Sequence, residues 1–123
     1  AVAGKEVVKG IQFDGGQALF VRADVGKRAQ VKRIIERTLG AWGRSDILHN
    51  NAYWSRDAPA TELNEKSWDR MLEVTLKSVY LGAKYAVPAM RESGGGAIVN
   101  TGSVHFLAGF SGYTAYDAAK GEC

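Results

Sequence analysis

Asp46-Ile47-Leu48-His49-Asn50-Asn51-Ala52 and Ala97-Ile98-Val99-Asn100-Thr101-Gly102-Ser103 each carry a short apolar run into a polar turn. Ile47 to His49 and Ala97 to Val99 are expected to be buried strands, since such runs suit a parallel sheet covered on both faces. Between them the sequence predicts one long helix from Asn64, its cap, to Ser93. Trp68, Leu72, Leu76, Val79, Ala83, Ala86 and Met90 track a single stripe, Pro88 bends the last turns, and Gly94, Gly95 and Gly96 stop it. Upstream, Val7, Val8 and Ile11 share a helical face over residues 5–13 before Asp14, Gly15 and Gly16 break it. Ala18 to Val21 then predicts a further strand, extending to residue 23, and Gly26 opens a basic helix that ends near Gly40. Tyr113 to Lys120 begins a last helix. Strands separated by helices call for right-handed crossovers and a doubly wound parallel α/β sheet, whose ligands gather at the carboxyl ends of the strands.

Composition narrows the class. The 123 residues are 46% apolar, enough for one domain with a core and too much for a disordered chain. The longest apolar runs are a few residues, far below the roughly 20 of a membrane-crossing helix, and the opening residues do not resemble a signal peptide, so a cytoplasmic address is expected. Cys123 is the only cysteine, which excludes an intrachain disulfide; with two histidines it is too little for a structural zinc site, and no metal is expected. The net charge of +3 is uneven: residues 1–44 hold nine basic and four acidic residues. A nucleic-acid patch over Lys27, Arg28, Lys32, Arg33 and Arg37 is the lesser reading, because Val31, Ile34, Ile35, Thr38 and Leu39 fall between those charges at the spacing of an amphipathic helix with a solvated basic side. No nucleic-acid or membrane partner is therefore expected.

Three predicted strand ends deliver polar groups: Asp24 with Val25, Asn50 with Asn51, and Asn100 through Ser103. Tyr116 follows Ser103 by thirteen residues and Lys120 follows Tyr116 by four. Positions i and i+4 share a helix face, so the ammonium of Lys120 can lie beside the Tyr116 phenol. At roughly 4 Å and an effective dielectric of about 20, that charge is worth up to about 4 kcal/mol to a phenolate. A phenol so placed can give or take the proton of an alcohol while the Ser103 hydroxyl holds the same oxygen.

In these residues the chain resembles the short-chain dehydrogenase/reductase family. The carriers are Ala23-Asp24-Val25, the Asn50-Asn51-Ala52 turn, Asn100-Thr101-Gly102-Ser103, and Tyr116-Asp117-Ala118-Ala119-Lys120. The resemblance implies a Rossmann-type fold and an oxidoreductase that interconverts a ketone and a secondary alcohol with NAD or NADP. Tyr116 would be the general acid, Ser103 would polarise the carbonyl, and Lys120 would hold the nicotinamide ribose. Asp24 and Val25 would meet the adenine, while Asn50 and Ala52 would lie along the adenosine ribose. It also implies a homotetramer or dimer built through the helix 64–93 and the helix carrying Tyr116.

Departures accompany the matches. Tyr53 stands where the family usually has glycine, and Thr75 stands where it has a fourth catalytic residue, an asparagine serving a water link toward the lysine. Thr75 as plain helix packing is the competing reading. The family's glycine-rich phosphate loop does not occur in this sequence, so the 123 residues are expected to be a partial dinucleotide-binding domain holding strands 3, 4 and 5 of the family sheet. The strand over 18–23 pairs only with strand 2 in that sheet and would be an orphan. A catalytically inactive remnant, acting only as a binding or assembly partner, is the alternative. Substrate identity and the choice between NAD and NADP are not legible. Of the other residues, Asp24 can equally be a capping aspartate, and His105 either touches substrate or is a satisfied loop histidine. His49 is expected to be buried and hydrogen-bonded, and Trp42, Trp54 and Trp68 to pack. Phe106, Leu107 and Phe110 either line an apolar substrate wall or join the core.

Overall fold

The computed structural model describes residues 2–121; Cys123 lies outside them. Helix α1 (Val2–Phe13) ends where Gly15 takes a positive φ of 82°. Residues 16–24 follow without regular structure and lead to α2 (Arg28–Trp42), closed by Gly43, whose left-handed backbone aims its N–H at the Leu39 carbonyl, 2.7 Å away. Strand β1 (Ile47–Asn50) is joined to β2 (Ala97–Asn100) by a continuous helical run: α3 (Glu65–Met71), a π-helical stretch Leu72–Lys77, and α4 (Ser78–Glu92). A 3-10 turn, Val104–Phe106, and α5 (Thr114–Gly121) complete the described chain.

β1 and β2 pair in parallel, Ile47 opposite Ala97 through Asn50 opposite Asn100, and two flanking bonds lengthen the ladder: Ala97 N–H to the Asp46 carbonyl and Thr101 N–H to the Asn50 carbonyl. This is the expected α/β architecture in incomplete form. One expectation fails. Among the described residues the sheet has two strands, and the run Ala18–Val21 joins neither. A strand exists only through its ladder, and no described segment pairs with this one. Phe20 instead lays its ring against Gly4 of α1, where a Cβ would stand 2.3 Å from a ring carbon.

The long helix also differs from expectation. Asn64 caps it as predicted, accepting from Ser67 N–H at 2.9 Å, and it runs through Pro88 to end before Gly94 and Gly95, both at positive φ. The π-helical stretch, however, adds a residue per turn, and the buried line runs through Ser67, Met71, Val74, Thr75, Ser78, Leu81, Gly82, Ala86 and Met90. Trp68, Leu72, Leu76 and Val79 are only half-buried. Small residues face the sheet because β1 side chains fill the space there: a Cβ on Gly82 would lie 2.7 Å from Asn50 Oδ1 and 3.1 Å from Leu48 Cδ2.

Two clusters form the core. Ile35, Ala86 and Met90 pack with Leu39, Leu48 and Tyr85 between α2, α4 and β1, which bears out the amphipathic reading of the basic helix. Met71, Ala115 and Ala119 pack with Trp54, Leu63 and Trp68, tying α5 to the helical run. Trp42 does not join them; it is exposed and donates its indole N–H to Gln17 at 3.1 Å. Among the described residues no helix is long and apolar enough to cross a membrane.

Candidate functional site

The carboxyl ends of β1 and β2 carry a hydrogen-bonded polar cluster. Asn50 donates to Asn100 Oδ1 at 2.9 Å, and Thr101 donates its hydroxyl to Asn51 at 3.0 Å. The Thr101 oxygen also stands 2.8 Å from His49 Nε2, which therefore carries the proton of that bond. His49 is thus hydrogen-bonded as expected but exposed rather than buried, because it alternates with Leu48 and Asn50, the strand residues that meet Gly82.

Lys120 joins this cluster to α5. Its side chain is almost fully buried, at 4% exposure, and its ammonium donates to the Thr101 carbonyl at 2.5 Å. The same nitrogen sits over the Tyr116 ring, 6.0 Å from the centroid, so the i, i+4 pairing holds while the direct bond goes to β2's end. Tyr116 is half-buried beside the Met71 cluster; the Tyr53 ring meets it edge-on at 5.9 Å and the His105 ring at 4.9 Å. Ser103 opens the 3-10 turn and accepts from the His105 N–H at 3.3 Å, placing its hydroxyl on the segment that touches Tyr116.

Thr75 lies in the π-helical stretch, buried, and is more than packing. Its hydroxyl donates to the Trp54 carbonyl at 3.1 Å and accepts from the Trp54 N–H at 3.2 Å. That clamp fixes the residue after Tyr53. A parallel bridge from Ala58 to Tyr113 holds the same loop to the start of α5.

A second region lies across the helical run. Val25, Asn50 and Ala52 line one cavity of about 140 Å³ with Val31, Leu48, Ser78 and Gly82. Asp24 is not among its lining residues. Its Oδ1 accepts from the Gly26 N–H and from Arg70, both at 3.0 Å, so the carboxylate closes a turn and anchors it to α3. The Arg70 hydrogen bond, strengthened by the Gly26 N–H and the charges of Arg70 and Lys27, outweighs burial and holds the Asp24 carboxyl below its ordinary range. The depressed value means that this pairing stabilises the fold above the ordinary carboxylate pKa and is lost as pH falls through the lowered one. Both side chains are about one-third exposed. Arg70→Met should therefore cost up to about 1 kcal/mol at neutral pH and nothing in acid that protonates Asp24, as read from urea midpoints at the two conditions.

Arg70 was not visible as a site residue in the sequence, and neither was the hydrogen bond from His105 Nδ1 to Asp117. Phe106, Leu107 and Phe110 are exposed, at 58%, 76% and 47%, which leaves the wall reading and removes the core one. Among the described residues no cluster of His, Cys, Asp and Glu could hold a metal ion.

The structure thus holds a parallel strand pair with polar ends, and a buried lysine ties those ends to a tyrosine one helical turn away. The sequence model of the short chain dehydrogenases matches residues 1–122, and the chain belongs to that family. It is 38% identical over 117 residues to a protein of Thermotoga maritima named as an uncharacterized oxidoreductase, covering 95% of this chain and 46% of the relative. It is 34% identical over 118 residues to cyclopentanol dehydrogenase of a Comamonas species, covering 96% and 47%. A 3-oxoacyl-(acyl-carrier-protein) reductase of Thermotoga maritima is 38% identical over 97 residues, 79% of this chain and 39% of the relative. The chain thus spans about half the length of the curated relatives it matches.

Proposed function

We propose that these residues form the proton-transfer half of an oxidoreductase that interconverts a secondary alcohol and a ketone with NAD(H) or NADP(H). The observation that carries the reading is the buried Lys120, whose ammonium binds the end of β2 and lies over the Tyr116 ring. In carbonyl reduction the Tyr116 hydroxyl gives its proton to the substrate oxygen, which the Ser103 hydroxyl holds; in oxidation the same proton returns. Lys120, itself almost fully buried, keeps a positive charge against the ring on which negative charge develops. Thr75 contributes by fixing Trp54, and through it the loop bearing Tyr53.

The cavity suits one end of such a dinucleotide. Its lining is mostly apolar with the amides of Asn50 and Asn51 among it, a combination that accepts a flat heteroaromatic base. Val25, Asn50 and Ala52 would hold that end, with Asp24 beside them, and Lys120 and Tyr116 would meet the other. The chemistry such a dinucleotide supplies when bound is hydride transfer. The exposed Phe106, Leu107 and Phe110 favour a small substrate with an apolar substituent, a class to which the cyclopentanol of the Comamonas relative belongs. A cytoplasmic setting and self-association through residues 64–93 belong to the same reading; the latter is supported by half-buried Leu72 and Leu76 and exposed Tyr80 along that run.

The inactive-remnant reading draws on one observation, that every residue of β2 is exposed rather than buried as expected, Ile98 and Val99 at 39% and 49%. Titration with NADH and NADPH separates the two. Trp54 lies on the loop beside Tyr116, so binding should quench tryptophan fluorescence and transfer energy to the reduced nicotinamide. An unchanged spectrum with retained self-association would favour the remnant.

A further inference from the structure

The turn after β2 shows an inversion of the usual burial. Val104, Phe106 and Leu107 are exposed, at 65%, 58% and 76%, while the polar His105 side chain points inward with 15% exposure. His105 Nδ1 is bonded to one oxygen of Asp117 on α5, and the other oxygen accepts the Phe110 N–H at 2.8 Å. One carboxylate thereby fastens both ends of the 105–110 segment to the helix that carries Tyr116. Gly109 leaves room for it, since a Cβ there would stand 3.3 Å from Asp117 Oδ2. The imidazole so held packs against Phe110 at 4.5 Å, Tyr113 at 4.9 Å and Tyr116 at 4.9 Å, meeting Tyr116 at 84°.

We propose that His105 and Asp117 are a positioning pair for Tyr116, in which the carboxylate fixes the imidazole and the imidazole holds the phenol ring. Where this bears on catalysis it rests on the proposed role of Tyr116. An apolar side chain at position 105 would fill the same space at less desolvation cost. The pair adds direction: a hydrogen-bonded ring cannot rotate freely, so its edge contact with Tyr116 is fixed. Burial works against the Asp117 charge, but the His105 hydrogen bond, the Phe110 N–H and the His105 charge outweigh it and hold the carboxyl below its ordinary range. The titratable groups around the imidazole are Asp117 and Tyr116 on α5 and Tyr113 just before it, with Lys120 over the Tyr116 ring and Tyr53 against it from the loop after β1.

The test is nuclear magnetic resonance of the chain labelled on tyrosine rings, with the Tyr116 signal assigned by its loss in Tyr116→Phe. Asp117→Asn keeps the imidazole but removes its anchor, so the Tyr116 signal should shift and broaden. Should that variant fail to fold, the native chain decides: the Tyr116 signal should move in step with the Asp117 carboxyl as acid protonates it below the ordinary range. A Tyr116 signal indifferent to Asp117 in both experiments overturns the proposal, whatever reaction the protein performs. In an active enzyme, Asp117→Asn and His105→Phe should each lower kcat about 10- to 100-fold with KM nearly unchanged. The double variant should be no worse than either single one; additive losses would overturn the pairing.

Discussion

Tyr116→Phe should lower turnover by about 10²- to 10⁴-fold and leave the fold intact, the loss typical when a positioned proton donor is removed from a reaction it serves. The substitution deletes one hydroxyl. The ring keeps its packing beside Met71 and its edge contacts with Tyr53 and His105, because those are made by carbon. Reduced-nicotinamide binding should change little, since the cavity proposed for one end of the dinucleotide does not include Tyr116 and the phenyl ring and Lys120 keep their places at the other. The expected pattern is a collapse of kcat with a preserved melting curve and a preserved fluorescence titration. Loss of less than tenfold would move the proton-transfer role away from this phenol and, with it, the chemical content of the Lys120 contact. Ser103→Ala, which removes the second oxygen contact, serves as the companion variant for assigning the two hydroxyls.

The parts of the fold that were legible in the sequence are those set by local chemistry. Ile47–Asn50 and Ala97–Asn100 lie within a residue of their expected bounds because apolar β-formers run there into polar turns, and Asn64 marks its helix start through its own side chain. What escaped depends on partners distant in the sequence. Ala18–Val21 has the composition of a strand, yet a strand requires a neighbour. The buried line of α4 follows small residues, Ser78 and Gly82, since close approach to β1 matters more there than side-chain size. The π-helical stretch has no glycine or proline to announce it. The site divides the same way. Ser103, Tyr116 and Lys120 declare themselves by spacing along two segments. The His105–Asp117 bond spans twelve positions through an irregular turn, and Arg70 reaches Asp24 across 46, so no period in the sequence connects them.

Gly82→Val joins fold and site in one substitution. A Cβ at this position would enter within 2.7 Å of Asn50 Oδ1, closer than packed atoms approach, and 3.1 Å of Leu48 Cδ2, a tight contact, and valine adds two methyl groups beyond it. Neither neighbour yields easily: Leu48 packs against the Ile35–Ala86–Met90 cluster and Asn50 is bonded to Asn100. Relief requires α4 to move away from β1, an overpacking that typically costs about 1–3 kcal/mol out of the roughly 5–15 kcal/mol that hold an ordinary domain together. Because Gly82, Leu48 and Asn50 also line the 140 Å³ cavity, the added methyl groups would intrude on the space proposed for one end of the dinucleotide. The expected result is a lowered urea midpoint together with at least about tenfold weaker nicotinamide-dinucleotide binding, a loss of about 1.4 kcal/mol. Gly40, exposed on α2 and with no atom within 4 Å of the point a Cβ would occupy, is the control: Gly40→Ala should leave binding unchanged and raise stability by up to about 1 kcal/mol through helix propensity. Weaker binding at Gly82 with the control unaffected places the dinucleotide between α4 and β1; unchanged binding in a folded Gly82→Val chain places it elsewhere.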